Sequence, residues 1–236
     1  MKKLLLYGLV VILFNSCSKK HSSVEGITAT GFVFLHNEFG QYLPNNSGVT
    51  ISTVKGPYAN SDSAGQFTLI NCPNSVTTVI YSKPGYGTHS YPASQNALLL
   101  PSINLYQLPT TIITGLQAAN NFNPIYIKAT IQPASTAAEP RSAAIFLGKD
   151  STVSPTNNIG SYYAGKITGG TISETITLDV SSATNTNNLK TVYLVAYGVA
   201  YDSLYTQQNM YLGVQNYTYP AIGNIPSNVV KVTLTP

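Results

Sequence analysis

Charge is scarce in this chain. Only 8% of its 236 residues are Asp, Glu, Lys or Arg, against about 25% in an ordinary soluble domain. Twelve basic and eight acidic side chains leave a formal net charge of +4, too little for the basic surface that nucleic acid requires. Hydrophobic residues make up 43%, so the chain is not of the disordered class, which combines low hydrophobicity with high net charge. No window carries a sustained helical period. No apolar run reaches the roughly 18 residues that span a bilayer. Tryptophan is absent, and there are two cysteines, Cys17 and Cys72.

The groups that catalysis uses are equally thin. His21, His36 and His89 are expected in the tether and in loops, and none belongs to a His-Glu-x-x-His pair of the kind zinc needs. There is no Gly-x-Ser-x-Gly elbow, no phosphate-cradling glycine loop and no calcium loop of alternating acidic oxygens. No catalytic residue, metal ligand or cofactor is therefore expected. The enzymatic alternative is a hydrolase using Asp150 or Asp202, which follow strands and could meet at one sheet edge; a retaining glycosidase needs two carboxylates about 5–5.5 Å apart.

At the N-terminus, Lys2 and Lys3 precede an apolar run from Leu4 to Phe14 and then Asn15-Ser16-Cys17. A charged start, a short apolar stretch and a small residue before the cut are the parts of a secretory leader. With cysteine after the cut, the arrangement resembles a bacterial lipoprotein signal, although Phe14 and Asn15 depart from the usual Leu and Ala or Ser. The resemblance implies a signal peptide over residues 1–16 and lipidation of Cys17 on its sulfur. Two or three acyl chains hold a protein to a membrane, where one is marginal. Residues 17–26 read as a flexible polar tether. Serine after Cys17 implies the outer membrane, while Lys19-Lys20 stand where surface lipoproteins carry an acidic run, so the periplasmic and surface faces both remain open. Losing Lys2 and Lys3 brings the net charge from +4 to +2. A lipidated Cys17 leaves Cys72 without a disulfide partner, and it is expected to pack as a small hydrophobe.

Period-two alternation runs through the rest of the chain. Ile125, Ile127, Ala129 and Ile131 oppose Tyr126, Lys128, Thr130 and Gln132; Ile172, Ile176, Leu178 and Val180 oppose Thr171, Ser173, Thr175, Thr177 and Asp179. Val192 to Val199 is apolar on both faces, as a central strand requires, and Val230, Val232 and Leu234 alternate near the end. Short strands between Gly, Pro and Asn clusters predict β-sandwiches. A break at Leu108-Pro109-Thr110 divides residues 27–108 from residues 109–236, since proline holds its predecessor extended and suits a stiff linker. The fold class predicted is all-β, two tandem sandwiches after the leader and tether.

The first unit contains Thr30-Gly31-Phe32-Val33, Gly40, Gly48-Val49-Thr50-Ile51, Asp62-Ser63-Ala64-Gly65-Gln66-Phe67-Thr68-Leu69 and Tyr81-Ser82-Lys83-Pro84-Gly85-Tyr86. In that order the pieces resemble the carboxypeptidase regulatory-like family, which implies a transthyretin-like sandwich of seven or eight strands, commonly an accessory module of envelope proteins. Independently of the family, Asp62 with Gly65 and Pro84 with Gly85 predict tight turns. In the second unit, Thr191-Val192-Tyr193-Leu194-Val195-Ala196-Tyr197, a long hairpin region and a final strand resemble fibronectin type III and related immunoglobulin-like sandwiches, without their characteristic tryptophan.

Two further patterns bear on function. Asp62-Ser63-Ala64, Asp150-Ser151-Thr152 and Asp202-Ser203-Leu204 resemble the acceptor pattern of a bacterial O-glycosylation system, which implies glycans on Ser63, Ser151 and Ser203; Asp-Ser pairs are also good turn formers. Tyrosine supplies 17 of the aromatics, and Tyr201, Tyr205, Tyr211, Tyr217 and Tyr219 are expected in a long loop as ligand contacts, tyrosine giving contact area at low entropic cost. Such tyrosines equally fill half-buried strand faces. The expected function is a non-catalytic, membrane-anchored envelope lipoprotein, a binding or structural module with a protein or glycan partner. The alternative is a surface glycan-binding lipoprotein of a polysaccharide-uptake system.

Overall fold

The computed structural model describes residues 26–54, 56–72, 78–93, 99–120, 124–167, 169–176, 190–201, 205–211 and 214–234. The leader, Cys17 and most of the tether lie outside the described residues. The described chain is all-β.

The first unit consists of β1 (Ile27–His36), β2 (Thr50–Thr53), β3 (Tyr58–Asn60), β4 (Gln66–Cys72), β5 (Thr78–Ser82), β6 (His89–Pro92) and β7 (Ile103–Tyr106). One sheet has the order β4-β1-β7, with β7 parallel to β1, and the other has the antiparallel order β3-β2-β5-β6. Alternation along β1 sends Ala29, Val33 and Leu35 inward, where they meet Ile51, Phe67, Leu69, Tyr81, Ile103 and Leu105. The turn before β4 forms as its sequence predicts. The Gly65 amide donates to the Asp62 carbonyl at 3.0 Å, and Asp62 Oδ1 accepts the Gln66 amide at 2.8 Å. Gly65 has φ of +86°, and a Cβ there would stand 2.1 Å from the Val33 oxygen, so only glycine fits. The Pro84-Gly85 turn closes likewise, the Tyr86 amide donating to the Lys83 carbonyl at 3.0 Å.

The second unit consists of β8 (Ile112–Asn120), β9 (Ile125–Ser135), β10 (Arg141–Gly148), β11 (Gly160–Ile167), β12 (Gly169–Ile176), β13 (Thr191–Val199), β14 (Tyr205–Tyr211), β15 (Val214–Thr218), β16 (Ile222–Pro226) and β17 (Val230–Thr233). One sheet has the order β12-β9-β8; the other has β11-β10-β13-β16, with β17 also pairing β13. Ile125, Ile127, Ala129 and Ile131 point into the core against Ala143, Ile145, Leu147, Val192, Leu194 and Ala196. Both β10 and β13 are apolar on their other face as well. There Ala144, Phe146, Val195 and Val199 pack under Tyr219, with Tyr163 and Tyr197 alongside. The double apolarity of residues 192–199 thus reflects two packed layers. The segment after β13, read from the sequence both as a hairpin region and as a long loop, forms a β-hairpin, β14 pairing β15 with Tyr205 opposite Thr218 and Tyr211 opposite Val214. Backbone pairing absorbs a segment whose length alone suggested a loop.

The two units meet at a joint with three layers of contact. Gly87 lies against the backbone of Pro220, where a Cβ would approach the Pro220 oxygen to 2.1 Å. Tyr106, at the end of β7, is buried with Ala200 and Ala221. The polar layer centres on Arg141, whose side chain is 4% exposed. Its guanidinium Nη1 lies 3.6 Å from Glu38 Oε2 and donates to Thr111 Oγ1 at 3.0 Å and Thr110 Oγ1 at 3.3 Å, and its plane covers the Phe39 ring. Glu38 in turn accepts the Thr110 amide at 2.7 Å, and its own carbonyl accepts the Tyr201 amide at 2.9 Å.

Arg141 has no other carboxylate within ion-pair distance among the described residues, so Glu38→Ala would strand a buried cation. A fully buried pair broken on one side loses about 3–5 kcal/mol. Glu38 keeps some contact with water, so a loss of about 2–3 kcal/mol is expected on the same scale. Urea unfolding of wild type, Glu38→Ala and the double variant Glu38→Leu/Arg141→Met checks this, with the double variant expected to recover most of the loss. An unchanged midpoint for Glu38→Ala would show that the pair carries no stability.

Candidate binding surface

A strand that buries every second residue presents the others outward, and in β1 those are Thr30, Phe32, Phe34 and His36. Polar residues are usual on the outer face of a sandwich. Here two phenylalanines stand in file, their rings nearly parallel with centroids 6.4 Å apart. Tyr42 extends the file, edge-on to Phe34 at 6.1 Å and to His36 at 5.9 Å. At the far end the His36 ring stacks on Tyr106 at 4.9 Å, which runs the strip into the joint. Phe32 is 39% exposed and Tyr42 54%, while Phe34 between them is half-buried. Cross-strand register sets Gln66 beside Phe32 and Asn104 beside Phe34, both exposed. Near Thr30 the surface continues with the exposed side chains of Leu99, which bridges to Thr30, and Ile70.

The position of Tyr42 is determined by Asn46, which is wholly buried. Beyond Phe32, β1 has run past β4, and the Leu35 amide faces a gap in the ladder. Asn46 Oδ1 accepts that amide at 2.7 Å, and Asn46 Nδ2 donates to the Tyr42 hydroxyl at 2.7 Å. The Leu43 amide donates to the Leu35 carbonyl at 2.8 Å. The Asn46 main chain is fixed as well, its amide donating to the Ser63 carbonyl and its carbonyl accepting the Ser61 hydroxyl. One side-chain amide therefore completes the sheet and anchors an exposed ring. The other end of the 37–42 loop is tied by the Asn37 side chain, which accepts the Phe39 and Gln41 amides, and by Glu38 at the joint.

Of the expected tyrosine set, the side chains of Tyr201 and Tyr219 are described. Tyr219 is 8% exposed. Its ring packs on Phe146 at 5.5 Å and beside Tyr163 at 6.4 Å, so it belongs to the outer packed layer and the expectation of a ligand contact there is corrected. Tyr201 is half-buried at the joint. The side chains of Tyr205, Tyr211 and Tyr217 lie outside the described residues. Ser63 and Ser151 are exposed in turns, whereas Ser203 and Asp202 lie outside the described residues. Asp150 Oδ1 accepts the hydroxyl and amide of Thr152, which hold its carboxyl below the usual carboxylate range. His36 and His89 lie in strands rather than loops, at the end of β1 and the start of β6; His21 lies outside the described residues. Cys72 is buried, and burial pushes its thiol above the usual range, as suits a packing residue.

The aromatic strip was legible in principle. Thr30 to Leu35 is apolar on both faces, Phe32 and Phe34 on one and Val33 and Leu35 on the other, the same signal that marked Val192 to Val199. In β13 the second face is covered by Tyr219 and its neighbours. In β1 no described residue covers Phe32 or Tyr42 to the same degree.

No protein-family model matches the chain, and no curated protein matches it. Several solved structures do. A DUF3823 family protein from Bacteroides ovatus is 14% identical, with 89% of this chain and 100% of that one covered at a TM-score of 0.34. Another from Parabacteroides merdae is 11% identical, covering 85% and 99% at 0.32. A third, from Bacteroides uniformis, is 10% identical, covering 89% and 100% at 0.33. At such scores the correspondence is loose, and the chemistry of the surface stands on this chain's own residues.

Asn46→Ala would leave the buried Leu35 amide without an acceptor, a loss of about 1–3 kcal/mol. Tyr42→Phe removes only the hydroxyl end of the same chain and should cost about 0.5–1.5 kcal/mol. Thermal melts of the two variants should fall in that order; equal melts for Asn46→Ala and wild type would mean that water replaces the side chain.

Proposed function

We propose that this chain is a non-catalytic binding module, held to the outer membrane by lipid on Cys17, and that it binds through the aromatic strip of the first sandwich. The observation that carries the proposal is the open outer face of β1, where Phe32, Phe34 and Tyr42 stand in file with Tyr42 anchored on Asn46. Exposed apolar patches of this kind mark interaction sites. Fixed rings also lose little freedom when a partner arrives. The strand orders support a finer reading, with the first unit as a carboxypeptidase regulatory-like module and the second as a fibronectin type III-like one. In the second, three strands oppose the sheet that contains the paired central strands β10 and β13. The tether would then place the strip near the membrane, because Gly26 leads directly into β1.

Hydroxyl-radical footprinting tests the binding surface, because it labels exposed aromatic side chains. Adding an extract of envelope and growth medium, intact or protease-digested, should protect Phe32, Phe34 and Tyr42. Labelling of the strip that stays constant in every extract while another surface is protected would defeat the proposal. Intact mass of the native protein tests its covalent state. A thioether-linked diacylglyceryl group on the Cys17 sulfur is expected, together with glycan increments that disappear when Ser63, Ser151 and Ser203 are replaced by alanine. A mature chain cut elsewhere, with a free Cys17, would remove the anchor.

A further inference from the structure

The sheet that carries the strip has no formal charge. Neither β1 (ITATGFVFLH), β4 (QFTLINC) nor β7 (INLY) contains an Asp, Glu, Lys or Arg. A phosphate, carboxylate or sulfate ligand would find no counter-ion there, and a cationic one no carboxylate, while each would surrender water to an apolar surface. What the sheet does offer is exposed aromatic side chains with uncharged hydrogen-bonding groups on both sides. Gln66 flanks Phe32 on the β4 side, Asn104 flanks Phe34 on the β7 side, and Thr68 stands beyond them opposite Thr30. The side-chain amides of Gln66 and Asn104 have no hydrogen-bond partner among the described residues, so both are open to a ligand.

We infer that the strip binds a neutral glycan, whose sugar rings lie on Phe32, Phe34 and Tyr42 while their hydroxyls meet Gln66, Asn104 and Thr68. The inference rests on the binding-module reading above and gives its ligand a chemical class. A sugar ring has an apolar C–H face and a rim of uncharged hydroxyls, and it complements a ring face bordered by amides and hydroxyls. Aromatic rings supply large, rigid contact area with little entropy to lose, and a few placed polar groups then fix orientation. Size separates this ligand from a protein partner. A standard protein interface covers about 800 Å² per partner around a broad apolar centre, whereas at Phe32 and Phe34 the row is one strand wide between its two amides, and the apolar surface widens only beyond Thr30, at Leu99 and Ile70. A row of rings along a strand fits a linear chain of sugars laid parallel to β1. Two polar positions on opposite sides of the row would select which equatorial hydroxyls are tolerated. The anchoring of Tyr42 through Asn46 means that the platform exists before the ligand arrives.

The test is native affinity electrophoresis of the detergent-solubilised mature protein in gels containing neutral β-glucan, xylan, galactomannan or starch, with carboxymethylcellulose as the charged comparison. At least one neutral polymer should retard the protein, to an extent that does not change with added salt. Phe34→Ala and Tyr42→Ala should weaken retardation by about tenfold, while Tyr126→Ala, on the exposed face of β9, should leave it unchanged. Gln66→Ala and Asn104→Ala provide variants at exposed positions that packing does not need. They should weaken retardation several-fold with an unaltered melting temperature. Retardation by carboxymethylcellulose alone, or retardation insensitive to all four strip variants, would overturn the inference. So would the absence of retardation by every neutral polymer. If the strip is nevertheless protected in footprinting by the intact extract and not by the protease-digested one, the partner is a protein: the glycan falls and the binding module stands. A strip protected by neither extract would remove both.

Discussion

Arg141 is the group on which the arrangement of the molecule depends. A guanidinium cannot lose its proton, so a buried one must be met by an acceptor wherever it lies. Here the first unit supplies the carboxylate, Glu38, while the linker supplies the Thr110 and Thr111 hydroxyls. Satisfaction is incomplete, since Arg141 Nε has no partner among the described residues. Buried pairs of this kind contribute little net stability against an apolar alternative, but they penalise every arrangement that separates them. With Gly87 against Pro220 and Tyr106 beneath Ala200 and Ala221, the pair makes the two sandwiches one object at the joint.

The joint also reaches the candidate surface. Glu38 sits in the loop that leaves β1 at His36 and returns at Tyr42, so the contact that holds Arg141 also holds one end of this loop. Asn46 holds the other end. Tyr106 serves twice, its ring stacked on His36 and its body buried by the second unit. The strip is thus bounded at one end by the joint, and among the described residues Phe32 and Tyr42 remain exposed. Pre-organisation of this kind lowers the entropic cost of association for any ligand of the proposed surface.

The two units use aromatic residues on outer faces in opposite ways. In the second, Phe146 on β10 is covered by Tyr219 and Tyr197, with Tyr163 alongside, and the sheet gains a second packed layer from its own chain. In the first, no described residue covers Phe32 or Tyr42 to the same degree. A strand apolar on both faces must either be covered or be offered to a partner. Strand β13 has the first outcome, and the outer face of β1 is the surface proposed for the second.

Much of the fold was legible in local residue order. Alternation identified β9, β12, β13 and β17, and the Asp62–Gly65 turn was readable because a positive φ at glycine and an aspartate side-chain bond are local properties. Tyr219 was readable only as an aromatic residue after a long segment, because period and composition do not say which surface a ring meets. The segment after β13 was readable as a long hairpin region, but the bounds and register of β14 and β15 were not, because its polar sequence carried no apolar alternation. What the sequence by itself determined was the all-β class, the near-absence of charge and the set of residues able to face inward, since these follow from side-chain chemistry at a fixed period of two. What only tertiary structure decided was which doubly apolar strand would be covered, that Glu38 would meet Arg141 across the joint, and that Asn46 would anchor Tyr42. Each of these contacts joins parts of the chain through space, and chain order does not encode proximity.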